Sequence, residues 1–120
     1  FLPFLERHPR VAIELAELLA ARLRRLSELA EDSVLLALRA RLAKKLVALA
    51  QRYGQPTKGG VEIDLPLSQQ EIGDMVGTSR ESINKQLRAW TLDGLLSSAR
   101  GRITLRDPAA LEALARLAID

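Results

Sequence analysis

The sequence predicts a mainly helical fold with a small β wing, in which a long N-terminal helix precedes a compact domain of helices and short strands. Aromatic residues make up only 3% of the chain, so the core must be built from Leu, Ile, Val and Ala, which favours helices. A heptad pattern runs through residues 10–31. From Val34 onward the patterns are helix, strand, helix, turn, helix and hairpin, which is the order of a winged helix-turn-helix.

The first helix carries a regular apolar seam. Its members alternate at spacings of four and three residues: Ala12, Ala16, Leu19, Leu23, Leu26 and Ala30. Such a seam needs a partner helix, either from the same domain or from a second copy of the chain. We expect a homodimer, because one small domain cannot easily cover both sides of such a helix. Pro9 suits the first turn of this helix.

The second helix is expected after a break at "EDS", residues 31–33, where Asp32 or Ser33 would form the N-cap. We therefore divide the chain into a junction and dimerisation helix, residues 1–32, and a winged helix-turn-helix domain, residues 33–120. The predicted buried stripe of the second helix is Leu35, Leu38, Leu42, Leu46 and Leu49, and its polar side carries Arg39, Arg41, Lys44 and Lys45. Gly54 ends this helix, and "GQPTKGG" has the composition of a loop.

The remaining elements are marked by local signals. "VEIDLPL" alternates like a half-buried strand that ends near Pro66, and Ser68 with Glu71 forms a capping box for a short helix. We expect this helix to bury Ile72, Met75 and Val76. Gly77 provides a turn, Ser79 caps a helix over residues 80–93, and Gly94 stops it. "LLSSA" and "RITLR" form a hairpin around Arg100-Gly101-Arg102, and "AALEALARLAI" is the last helix.

The helix over residues 80–93 has the pattern of a DNA recognition helix. Ile83, Leu87 and Trp90 share its apolar face, which leaves the polar residues at its start free to enter a major groove. The candidates for base contacts are Arg80 with guanine, Glu81 with the cytosine amine, Asn84 with adenine, and Lys85 with guanine or a phosphate. The candidates for phosphate contacts are Ser68, Gln70, Thr78, Ser79, Ser82, Arg100 and Arg102.

Two other functions stay open from the residues alone. A capped helix with charged residues on its outer face is often only a solvated helix, so the chain could be a winged-helix module for protein–protein interaction, with the heptad helix as its functional element. An enzyme is a more distant alternative, because no Ser/His or Cys/His grouping exists.

Composition restricts the chemistry further. There is no cysteine, which excludes disulfides and thiolate metal sites and fits the cytoplasm, and His8 is the single histidine, so we expect no metal site. No apolar run is long enough to cross a membrane and no signal peptide is visible. The net charge of +3 is small, but basic residues collect in the recognition helix and in the wing.

The segment "LSQQEIGDMVGTSRESINKQLRAW", with "DGLL" and "ARGRITL" after it, resembles the DNA-binding domain of the cyclic-AMP receptor protein and fumarate–nitrate regulator (Crp/Fnr) family of bacterial transcription factors. "FLERHPRVAIELAELLAARLRRLSEL" is similar to the dimerisation helix of that family. The resemblance implies base contacts by Arg80, Glu81 and Lys85, phosphate contacts by Ser68, Gln70, Ser79 and Ser82, and a wing contact by Arg100. Lys85 stands where arginine is usual, and Asn84 where glycine or serine is common.

The resemblance also implies double-stranded DNA as a partner, with RNA polymerase as a further partner near "GQPTKGG". Full-length relatives bind a cyclic nucleotide or another signal in an N-terminal β-roll sensor. No such β-rich segment is present in this sequence, so we expect no cofactor in this chain and interpret it as lacking the sensor domain.

Overall fold

The structure is a computed structural model that describes residues 1–118. The predicted fold class is confirmed: the chain is mainly helical, with one four-stranded antiparallel sheet. The elements are α1 Leu2–Arg7, α2 Pro9–Tyr53, β1 Gly54–Thr57, β2 Gly60–Ile63, α3 Gln69–Val76, α4 Arg80–Leu92, β3 Leu96–Ala99, β4 Arg102–Leu105 and α5 Pro108–Ala115. The predicted last helix included Ile119, which lies outside the described residues.

Helix α2 begins at Pro9, as expected, and ends immediately before Gly54. The break predicted at residues 31–33 was wrong, because α2 runs through this segment without interruption. Asp and Ser are good N-caps, yet inside a helix each costs only a fraction of a kcal/mol relative to Ala. Since α2 contains no glycine, and no proline after Pro9, nothing in the segment forces an ending.

The chain divides into two compact units, one of residues 1–35 and one that begins at Leu36. The first holds α1 and the start of α2, and it buries none of its side chains completely. The second has a continuous apolar core built by α2, the sheet, α3, α4 and α5. The core comprises Leu42, Ala43, Leu46, Ile63, Ile72, Ile83, Leu87, Trp90, Leu96, Ile103, Leu105 and Leu111.

The predicted apolar stripe of α2 is only partly buried. Leu42 and Leu46 lie in the core, and Leu38 and Leu49 are half-buried. Leu35, which we expected to be buried, is exposed. It is the last residue of the first unit, which has no buried core for it to join.

The sheet has the strand order β1-β2-β4-β3, so the hairpin β1–β2 and the wing β3–β4 join through β2 and β4. The segment "GQPTKGG" was expected to be a loop but forms β1 and its turn. Pro56 is compatible with β1, because β1 is an edge strand and an edge position does not need the missing N–H donor. Strand β2 ends at Ile63, earlier than the alternating pattern suggested.

Candidate nucleic-acid interface

Helices α3 and α4 meet through a tight turn. Gly77 ends α3 with a φ of +86°, a left-handed conformation that glycine adopts without steric cost. Gly73 allows the close approach, since a Cβ added there would lie 2.8 Å from the carbonyl oxygen of Thr78. Ile72 is buried against the core, but Met75 is 40% exposed and does not belong to the inward face that we predicted. Val76, the next residue, is half-buried and packs against the core, so Met75 alone departs from the predicted inward face.

Both helices begin with the predicted caps. The Oγ of Ser68 accepts from the Glu71 N–H at 3.0 Å, and the Glu71 carboxylate accepts from the Ser68 N–H at 3.1 Å. The Oγ of Ser79 accepts from the Ser82 N–H at 3.1 Å and lies 3.0 Å from the Ser82 hydroxyl. Two of the hydroxyls expected to contact phosphate, those of Ser68 and Ser79, therefore also cap α3 and α4, and the hydroxyl of Ser82 accepts from that of Ser79.

The apolar face of α4 is anchored as predicted, with Ile83, Leu87 and Trp90 in the core. The start of α4 is open to solvent. The side chains of Arg80 and Glu81 are 61% and 76% exposed, and their charged groups lie 3.6 Å apart. Lys85 is exposed as well. Arg80, Glu81 and Lys85 thus form an exposed polar surface, which we call the recognition surface, on a helix fixed by its opposite side.

Asn84 differs from the exposed residues of the recognition surface because it is half-buried. Its Oδ1 accepts a hydrogen bond of 3.1 Å from the Nε2 of Gln69, the first residue of α3. Gln69 is not among the contact residues that the sequence predicts. The two residues lie on different helices, and no local pattern could have joined them.

Gln86 is a second residue that the sequence reasoning missed. It is only 4% exposed, its Oε1 accepts from the Nε of Arg39 at 3.0 Å, and its Nε2 has no partner among the described residues. Arg39, expected on the polar side of α2, is consequently half-buried. A signal did exist: position 86 is three residues after Ile83 and four before Trp90, which places it on the buried face.

The other candidates for phosphate contact lie around the turn and on the wing. Gln70 is exposed and donates to Asp74 at 3.0 Å, and Thr78 is half-buried in the turn. Arg100 lies at the tip of the wing with a φ of +56°. Arg102 was expected at the tip too, but the wing turn contains only Arg100 and Gly101, so Arg102 is the first residue of β4.

Arg102 has an acidic partner. Its guanidinium lies 3.0 Å from the carboxylate of Asp64, the residue after β2, and both side chains are a little under half exposed. A nucleic-acid phosphate would therefore compete with Asp64 for this arginine.

The residues of the predicted dimer seam are almost entirely exposed in the single chain. Leu19, Leu23 and Leu26 are 52%, 65% and 62% exposed, and only Ala12 is partly buried. Ile13, Leu18 and Leu29 add further exposed apolar surface to the same segment of α2.

Other site types find no support in residues 1–118. No three His, Asp or Glu side chains there are grouped so that they could hold a metal ion. No helix in the described part of the chain is long and apolar enough to span a bilayer.

Comparison with known proteins gives a consistent result. The Crp-like helix-turn-helix domain model matches residues 40–114. The CRP-like cAMP-activated global transcriptional regulator of Mycobacterium tuberculosis is 33% identical over 108 residues, which cover 90% of this chain and 48% of that protein. The global nitrogen regulator of Synechocystis is 27% identical over 107 residues, or 89% of this chain and 48% of that protein.

Among solved structures, the catabolite activator protein of Thermus thermophilus superposes with a TM-score of 0.76 at 30% identity. The match covers 96% of this chain and 51% of that one. The chain thus spans about half the length of the relatives it matches. The chain belongs to the Crp/Fnr family, and its residues 40–114 are a Crp-like helix-turn-helix domain.

Proposed function

We propose that this chain is a sequence-specific DNA-binding transcription regulator that binds double-stranded DNA through α4. The observation that carries the proposal is the exposed recognition surface at the start of a helix whose opposite face is anchored in the core. A major groove admits one helix, and the first turns of a recognition helix are those that meet base edges. Arg80 and Lys85 are suited to guanine acceptors, and Glu81 is suited to the cytosine amine.

The acidic residue in this surface supports base reading over general attraction to phosphate. A surface that bound only the phosphate backbone would gain nothing from Glu81, because a carboxylate repels phosphates. Phosphate contacts would come from the residues around the caps, the turn and the wing, namely Ser68, Gln70, Thr78, Ser79, Ser82, Arg100 and Arg102.

We extend the proposal to a dimer on a roughly palindromic site. The exposed apolar seam of α2 supports this, since a solvated helix gains little from displaying Leu19, Leu23 and Leu26 and a second copy would cover them. Two recognition helices would then enter successive major grooves about 34 Å apart. Such a regulator would act in the cytoplasm, and the β1–β2 turn at Lys58 would be its contact with RNA polymerase.

We assign no effector site to this chain. The mycobacterial relative is described as cAMP-activated. In a regulator of that kind, a signal would act by rearranging the two recognition helices of the dimer.

A binding experiment tests the proposal. The chain is titrated with a selected duplex and with a scrambled duplex at two salt concentrations. We expect preference for the selected duplex and affinity that falls steeply with salt. Arg80→Ala should weaken binding by about 1–3 kcal/mol and relax the preference at one position of each half-site.

The matched control is Arg116→Ala, which removes the same charge from an exposed position after α5 and should leave base preference unchanged. Equal affinity of the parent for both duplexes would refute sequence-specific DNA recognition. Absence of binding even at low salt would favour the protein–protein interaction module instead.

A further inference from the structure

The hydrogen bond between α3 and α4 bears on what Asn84 can read. Asn84 lies one turn after Arg80, between Arg80 and Arg88 around the helix, so it borders the recognition surface. The Nε2 of Gln69 donates to its Oδ1 at 3.1 Å, and both side chains are half-buried. In this contact the oxygen of Asn84 is directed towards α3, and its NH₂ group is left for another partner.

The direction of this bond decides which group Asn84 offers to a ligand. An asparagine amide has one oxygen that accepts and one NH₂ group that donates two hydrogen bonds. Adenine requires both groups side by side, because the oxygen accepts from N6 while the nitrogen donates to N7. With its oxygen bound by Gln69, Asn84 presents mainly its NH₂ group.

We propose, on the basis of the proposed DNA binding, that Gln69 is a positioning residue. It holds Asn84 so that the NH₂ group of Asn84 can donate to hydrogen-bond acceptors on the edge of a base. Guanine presents two acceptors in the major groove, N7 and O6, whereas adenine presents one acceptor and one donor. Asn84 therefore selects guanine over adenine at its position. This replaces the pairing with adenine that residue type alone suggests.

A single substitution at position 69 should reverse the selection. A glutamate carboxylate only accepts hydrogen bonds, so in Gln69→Glu the NH₂ group of Asn84 must turn towards α3. The oxygen of Asn84 then faces the groove and accepts from the amines of adenine N6 or cytosine N4. The first turn of α3 tolerates this change, because a negative charge near a helix N-terminus is favourable.

The test is selection of binding sites from a duplex pool randomised in both half-sites, with the parent, Gln69→Glu, Asn84→Ala and the double variant. The position read by Asn84 is the one whose preference disappears in Asn84→Ala. There the parent should prefer guanine, and Gln69→Glu should shift the ratio of guanine to adenine by about tenfold towards adenine. The position read by Arg80 should not change.

The double variant is the matched control. Gln69→Glu introduces a negative charge that lowers affinity for any duplex, but in the Asn84→Ala background it should leave base preference untouched. If Gln69→Glu fails to give a cooperative thermal transition, Gln69→Ala takes its place. It frees the amide of Asn84 and should remove the discrimination between guanine and adenine.

The outcomes separate this inference from the function on which it rests. A parent that selects a sequence, together with a Gln69→Glu or Gln69→Ala variant that selects the same sequence, overturns the positioning role of Gln69 alone. A parent that prefers adenine at the Asn84 position overturns it as well. A parent that selects no sequence overturns the proposed function itself.

Discussion

The contact between the half-buried Arg39 and the buried Gln86 provides a test of how α4 is held in place. Gln86 is 4% exposed, and its Oε1 has one partner, the Nε of Arg39, while its Nε2 has none among the described residues. Arg39→Ala would leave both polar ends of this buried amide without a side-chain partner among the described residues. Because an unsatisfied buried polar group costs about 1–3 kcal/mol, the free energy of unfolding should fall by that amount.

Replacing Gln86 instead of Arg39 should not lower the free energy of unfolding. Gln86→Met keeps a similar volume and removes both polar groups, so we expect unfolding free energy to stay unchanged or to rise slightly. Arg39 is half-buried and can then be hydrated. In the Gln86→Met background Arg39→Ala should cost much less than it does in the parent, which is the signature of a direct coupling.

The assay is urea denaturation followed by circular dichroism, at one protein concentration because the proposed dimerisation would contribute to stability. Arg41→Ala is the control, since it removes the same side chain from an exposed position of α2. Equal losses in Arg39→Ala and Arg41→Ala, or the same loss from Arg39→Ala in both backgrounds, would show that the contact with Gln86 does not stabilise the fold.

Two further predictions concern assembly and affinity. Replacing Leu19 and Leu23 by Lys should convert a dimer into monomers, because charges would enter the apolar seam. Sedimentation measures the mass, and the same mass as that of the parent would contradict the assignment of the seam as a dimer interface. Asp64→Asn should release Arg102 from its 3.0 Å ion pair and tighten DNA binding several-fold with a steeper salt dependence. An equal gain in the Arg102→Ala background would contradict this explanation, since the gain should depend on the freed guanidinium.

Local signals predicted the helix-turn-helix well. The capping box at Ser68, the turn at Gly77 and the cap at Ser79 each depend on residues within four positions of one another, and the structure confirms all three. The same holds for the inward face of α4, where the helical period alone aligns Ile83, Leu87 and Trp90.

The errors arose where a local signal was ambiguous or where tertiary packing decided. Asp32 and Ser33 are residue types that favour a helix N-cap, yet the same residues are tolerated inside a helix. "GQPTKGG" has loop composition, but pairing with β2 makes its first four residues an edge strand. The partners Gln69 and Asn84 are brought together only by the packing of α3 on α4, which no pattern within either helix specifies.

In the proposed complex, the open end of α4 contacts DNA. Nuclear magnetic resonance of the chain with and without a selected duplex locates this contact residue by residue. We predict that the largest changes in amide and side-chain shifts fall on Arg80, Glu81 and Lys85, with small changes in the buried Trp90 indole. Shifts confined to other surfaces, with residues 80–85 unchanged at saturating duplex, would contradict the account.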